Sequence, residues 1–172
     1  FGLKKNKNKI DKEKLKKSET NIKIVLNKIN EYLCIHIDNQ IQAGADTIQI
    51  FDSWAGLIPD EKLFDYCYEP NKKIVNFCKK KKIPVICFPR GINKNYIEFA
   101  NIVKPDCLSL DYEVDPLWAK NNLHNYCLQG GMDPKILFEA EDKIFKEVDK
   151  FLNIFNGCPY VFNLGHGLLP ET

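Results

Sequence analysis

Near the C-terminus the chain reads Val161-Phe162-Asn163-Leu164-Gly165-His166-Gly167-Leu168-Leu169-Pro170. An apolar run with a strand's composition stops at Gly165, and a histidine follows between two glycines. An imidazole at a strand end, in a turn too tight for large neighbours, is poorly placed to fill a core and well placed to touch a ligand. Four other apolar runs also end in polar or glycine-rich turns: Phe51-Asp52-Ser53-Trp54-Ala55-Gly56, Phe88-Pro89-Arg90-Gly91, Leu110-Asp111-Tyr112-Glu113 and Leu128-Gln129-Gly130-Gly131-Met132-Asp133-Pro134. Each turn alone has a plainer use. Asp52 and Ser53 can cap the next helix, and Asp133 before Pro134 has the form of a helix N-cap. Asp111 can satisfy loop amides, Arg90 can be a surface residue, and Gly130 and Gly131 can serve the turn alone. As five polar turns on one rim they point to a ligand site. None is a phosphate-binding loop, and there is no G-x-G-x-x-G fingerprint.

The elements that position these turns alternate between helix and strand. Ile22, Leu26, Ile29, Leu33, Ile37 and Ile41 recur at helical spacing, and Gly44 closes that helix. Thr47 to Phe51 forms the first predicted strand. Pro59 starts a helical stretch and Pro70 restarts it, with Lys79 to Lys82 at its C-terminal end, where cations suit the helix dipole. Ile83 to Phe88 is the second strand. Ile97, Ala100 and Val103 mark a helix face before the third, Cys107 to Leu110. Asp115-Pro116 is a cap and first turn. Tyr126 to Gln129 is a short fourth strand. Ile144, Val148, Phe151, Leu152 and Phe155 line a helix that stops at Gly157, and Tyr160 to Leu164 is the fifth strand. The strands lack period-two alternation and read as buried on both faces, as in a parallel sheet covered by helices. A doubly wound sheet and a (β/α)8 barrel both fit. Polar turns after every strand favour the barrel, whose C-terminal rim gathers a site from several strand ends.

The chain has 172 residues, 44% of them hydrophobic, enough for one domain with a real core. Its net charge of +2 calls for no nucleic-acid partner. Arg90 is the only arginine, and lysine, asparagine and isoleucine are abundant, a bias that reads as nucleotide-composition pressure. No run approaches ~18 apolar residues, so no membrane span is expected, and no secretory signal is visible. The seven cysteines are odd in number and form no C-x-x-C pair, so they read as small reduced core residues in a reducing compartment. Eight lysines fall among the first 17 residues, and residues 1–19 are expected to be a solvated, mobile segment ahead of a domain at 20–172.

Taken in order and at these distances, GADTIQIFDSWAG, LQGGMDP and FNLGHGLLP resemble the uroporphyrinogen decarboxylase family over roughly Ile22 to the C-terminus. NLGHG is the most specific of the motifs. FPRG and LDYE fit looser positions, and LQGGMDP departs by one residue, Gly131 standing where the family usually has asparagine. The resemblance implies a cofactor-free (β/α)8 barrel, usually a homodimer. Its activity would remove the acetate carboxyl groups of uroporphyrinogen to give coproporphyrinogen, in the cytoplasm or a plastid-type organelle. Two substrate-binding residues carry over by motif: Ser53, through its hydroxyl, and His166, toward a carboxylate.

The resemblance also implies residues without a counterpart here: an arginine-rich N-terminal motif, an aspartate that contacts the pyrrole N–H groups, and a tyrosine just before the matched region. No catalytic residue is therefore assigned in this chain, and its five strands are read as the C-terminal part of an incomplete barrel. Open sheet edges are expected to leave such a piece poorly stable alone. Two other readings stand beside the decarboxylase. One is a non-catalytic tetrapyrrole-binding remnant. The other is a zinc- and cobalamin-linked methyltransferase of the same superfamily, whose His-x-Cys zinc ligands have no match at Cys87-Phe88-Pro89-Arg90.

Overall fold

The computed structural model describes residues 12–172. Most of the expected N-terminal mobile segment, residues 1–11, lies outside the described residues. Lys12–Lys17 forms a short helix (α1), followed by the 24-residue α2, Glu19–Gln42. Five strands follow: β1 Ile48–Asp52, β2 Val85–Pro89, β3 Cys107–Leu110, β4 Cys127–Gly130 and β5 Tyr160–Val161. Between them lie α3 Glu69–Lys80, α4 Tyr96–Val103, α5 Pro116–Asn122 and α6 Glu141–Phe155.

All four strand pairings are parallel, and the order across the sheet is the order along the chain. That order separates the two folds the sequence left open. A doubly wound sheet reverses direction at a switch point, whereas here every strand adds on the same side, as in a barrel wall. Right-handed crossovers repeated in one direction put every connecting helix on one face of the sheet. The core lies under those helices. Val85, Cys87, Leu108, Leu110 and Leu128 of the sheet pack with Val75, Cys78, Phe99, Ala100, Val103, Phe151 and Phe155 of the helices. The seven cysteines are all free thiols, four of them buried. Among the described residues no helix is long and apolar enough to cross a membrane.

Several elements depart from expectation for identifiable reasons. The inward stripe of α2 runs through Ile22, Leu26, Asn30, Cys34, Ile37 and Ile41, while Ile29 and Leu33 face outward. Asn30 tolerates that position because its amide donates to the Pro70 carbonyl at 3.2 Å. In α4 the buried face is Tyr96, Phe99, Ala100 and Val103, and in α6 Leu152 points out. Before α3 the helix widens to a π-turn at Phe64–Tyr68, next to a proline that cannot donate. The fifth strand is shorter than the expected Tyr160 to Leu164. Gly130 and Gly131 adopt φ values of +77° and +99°, which turn the end of β4 away from its neighbour. The ladder breaks there and resumes in the same register as a single bridge between Met132 and Leu164.

The cap assignments follow the sequence more closely. The Asp115 carboxylate accepts from the Trp118 amide at 2.7 Å, and Asp133 from the Lys135 amide at 2.9 Å. Asp52 does not cap. Its carboxylate accepts from the Asn71 side chain at 3.1 Å and ties the end of β1 to α3. Burial raises the Asp52 carboxyl above its ordinary range, and hydrogen bonds from Cys67 and Asn71 only partly oppose this.

Two stability outcomes follow from this packing. A Cβ on Gly165 would collide with the backbone of Asp111 and Tyr112, whereas one on Gly167 would meet nothing within 4 Å. Gly165→Ala is expected to cost about 1–3 kcal/mol in denaturant unfolding, and Gly167→Ala close to nothing. For Asp52, a raised native pKa means that the folded state holds its proton to higher pH than the unfolded chain. The stabilising contribution is complete below the unfolded carboxyl value of about 3.9 and is lost as pH rises through the folded value. Asp52→Asn should therefore raise the melting temperature at pH 7 and raise it less at pH 3. An equal change at both pH values would contradict the assignment.

Candidate functional site

The C-terminal ends of the five strands lie along one rim, and their turns are joined by backbone contacts. The Arg90 amide is shared between the carbonyls of Asp52 (3.2 Å) and Phe88 (3.1 Å), and the Arg90 carbonyl accepts from Gly56 at 2.8 Å. These bonds lock the first turn to the second. The second is locked to the third by Asp111, a fully buried carboxylate at the end of β3. Asp111 accepts from the Gly91 amide at 2.8 Å, the Glu113 amide at 2.9 Å and the Tyr96 hydroxyl at 3.3 Å. Asp111 thus takes the amide-satisfying role open to it in the sequence, across two turns at once. Burial, with the Asp111 charge beside it, pushes the Tyr96 phenol well above the usual tyrosine range, so it stays a donor. The fifth turn closes on the third through Gly165, whose α-carbon packs on the Asp111–Tyr112 backbone. The Gly165 amide also donates to Met132, beyond β4, at 2.7 Å.

Three adjoining cavities open along this rim. The largest, about 380 Å³, lies on the helix-free face of the sheet and is walled by Gln49, Phe51, Ser53, Phe88, Ser109 and His166, among others. Ser53 and His166, taken from turns on the first and fifth strands, therefore meet in one cavity. A second, about 370 Å³, runs from Ser53 and Trp54 to Arg90 and Glu113. A third, about 180 Å³, joins Arg90 and Tyr112 to Lys135 and His166. A depression of about 190 Å³ between α2 and α3 lies on the helical side, away from these turns.

The site's side chains are posed by their neighbours. His166 is half-buried, and its Nδ1 lies 3.3 Å from the Gly167 carbonyl. If Nδ1 donates there, Nε2 offers a second donor only in the doubly protonated ring. Its ring meets Tyr112 edge-on at 6.5 Å between centroids. On the floor, Ser109 and Gln129 are buried partners, the Gln129 amide donating to the Ser109 hydroxyl at 3.3 Å. Among the described residues no three His, Cys, Asp or Glu side chains gather in a way that would hold a metal ion.

Tyr112 and the cavity-lining Gln49 and Phe51 were not singled out in the sequence. A signal for the latter pair existed. Gln49, Phe51 and Ser53 are spaced by two, the period of one strand face, and Phe51 is 67% exposed. β1 is thus not buried on both faces, as a purely apolar reading of its run implied.

Against known proteins, residues 4–172 match the family model for uroporphyrinogen decarboxylase. A uroporphyrinogen decarboxylase of Jannaschia sp. is 40% identical over 140 residues, which cover 80% of this chain and 41% of that protein. One from Cereibacter sphaeroides is 34% identical over 152 residues, covering 86% of this chain and 44% of its own length. One from a Wolbachia strain of Drosophila simulans is 37% identical over 153 residues, covering 88% and 45%. The chain thus spans less than half the length of these curated relatives. With a parallel sheet in barrel order, five strand ends on one rim and a family match along nearly all its residues, the chain belongs to the uroporphyrinogen decarboxylase family.

Proposed function

We propose that this rim forms part of a site that decarboxylates the acetate arms of uroporphyrinogen to give coproporphyrinogen, a step of porphyrin and haem synthesis. The observation that carries the reading is the convergence of Ser53 and His166 on the wall of one cavity, each within a motif that resembles the family's. The relatives from Jannaschia, Cereibacter and Wolbachia bear the name of that activity. The reading extends to the family's usual homodimer and to a reducing compartment, which seven free thiols suit.

Loss of CO₂ from an acetate leaves an electron pair that must be delocalised. A pyrrole protonated on ring carbon can accept that pair, so the substrate supplies its own electron sink. The protein's part is to hold a polyanion in one pose and to limit water around the reacting carbon. The Ser53 hydroxyl has no hydrogen-bond partner among the described side chains and is free to donate to a carboxylate. His166 binds a carboxylate best as imidazolium, with Nδ1–H on the Gly167 carbonyl and Nε2–H toward the cavity. Phe51 and Phe88, whose rings meet edge-on at 6.1 Å, add an apolar wall against which a pyrrole can lie.

In a chain that carries the whole barrel, chromatographic assay of coproporphyrinogen formation tests the assignment. His166→Ala is expected to weaken substrate binding or slow decarboxylation, and unchanged product formation would remove it from the site. Ser53→Ala should cost about 1 kcal/mol, roughly fivefold in kcat/KM, as for one neutral hydrogen bond. Complete loss of activity with the fold intact would assign Ser53 more than binding.

A further inference from the structure

Arg90 carries the only guanidinium of the chain, and the reading above gives it no task. We propose that Arg90, backed by Tyr112 and flanked by His166, forms a second carboxylate subsite that grips a propionate arm of the tetrapyrrole, an arm that does not react. The proposal rests on the tetrapyrrole reading.

The backbone of Arg90 is fixed from three sides. Its amide is held by the Asp52 and Phe88 carbonyls, its carbonyl by the Gly56 amide, and the following amide by Asp111. A side chain on such a mount starts from a defined point, which lowers the entropy lost on binding. The guanidinium itself is uncommitted. It is half-buried, and among the described residues no carboxylate oxygen lies within 4 Å of it. The neighbouring acids are engaged elsewhere: Asp52 by Asn71, Asp111 by two amides and Tyr96, and Asp133 by the Lys135 amide. Glu113 lines the same larger cavity, beyond ion-pair reach.

What the guanidinium does touch is an aromatic ring. Its central carbon sits 5.9 Å from the Tyr112 ring centroid, while His166 meets the same ring at 6.5 Å. A guanidinium set over a ring face keeps its N–H fork available for bidentate binding of a carboxylate. The third cavity, about 180 Å³, lies among Arg90, Tyr112, Asp133, Lys135 and His166, with the Asp133 carboxylate capped by the Lys135 amide, and has room for one short acid arm. His166 also borders the cavity of Ser53, so two carboxylate positions adjoin across a single imidazole. Each pyrrole of the substrate bears one acetate and one propionate, a matching pair of arms.

Reaction energetics select which arm Arg90 takes. A bidentate ion pair stabilises a carboxylate and does nothing for the neutral CO₂ it becomes. Placed on the reacting acetate it would deepen the ground state and oppose the reaction. On a propionate it holds substrate and product alike.

Fluorescence titration of the protein with uroporphyrin, which carries acetates and propionates, and with coproporphyrin, which carries propionates and methyls, tests this. Arg90→Gln keeps every backbone bond of that turn and should leave the circular-dichroism melt unchanged. It is expected to weaken binding of both porphyrins by a similar factor, about tenfold, as for a charged hydrogen-bonded pair near the surface. Should Arg90→Gln fail to fold, Arg90→Lys, which keeps the charge and loses the fork, is expected to weaken both equally and by less. Weakening of uroporphyrin alone would place an acetate at Arg90 and overturn the assignment. Wild-type affinity for both in a folded variant would overturn the subsite and leave the tetrapyrrole reading standing. If the unaltered protein binds neither porphyrin, the tetrapyrrole reading fails, and the subsite with it.

Discussion

A buried carboxylate at the end of β3 holds the rim in shape. Asp111 gathers the Gly91 amide of one turn, the Glu113 amide of its own turn and the Tyr96 hydroxyl of α4, and its own backbone is the surface on which Gly165 rests. A charge this deeply buried is tolerable only when its lone pairs are met, and here three donors meet them. The consequence is mechanical. Arg90, Tyr112 and His166 come from three strand ends, yet each is placed relative to the same carboxylate within one or two residues. Loops that carry functional side chains are usually the mobile part of a fold. This rim avoids that by bonding each turn to the next, from Asp52 and Gly56 through Arg90 to Asp111 and on to Gly165 and Met132.

The sheet divides labour between its faces. On the helical face, strand and helix side chains form a continuous apolar core. The other face carries Gln49, Phe51, Phe88, Ser109 and Gln129, a mixture of amide, hydroxyl and aromatic groups suited to a ligand that is apolar in its rings and charged at its arms. The guanidinium of Arg90, the ammonium of Lys135 and the imidazole of His166 stand at the upper edge, where such arms would reach.

Much of this was legible beforehand. The five strands appear within two residues at their start and at most of their ends, because short apolar runs bounded by glycine and polar turns leave little freedom. Asp115 and Asp133 announce their caps through the proline that follows each. His166 stood out because an imidazole ended an apolar strand, and Ser53 was marked by the resemblance of its motif to the family's. Other features depend on partners far along the chain. Asn30 replaces Ile29 on the buried stripe of α2 because the Pro70 carbonyl, forty residues away, satisfies its amide. The shortening of β5 is caused by the φ values of two glycines in β4. Tyr112 reads as an ordinary loop aromatic until Arg90 and His166 are brought to either side of its ring.

On the proposed function, the strand ends of this chain serve as a prearranged receptor for a molecule that carries several carboxylates on an apolar frame. The most direct measurement is a crystal structure of the protein grown with coproporphyrin. The ligand is expected across the ends of β1 to β5, with one carboxylate within hydrogen-bond distance of Ser53 Oγ or His166 Nε2. A ligand lodged on the helical side, as in the depression between α2 and α3, with the rim vacant, would contradict this assignment of the site.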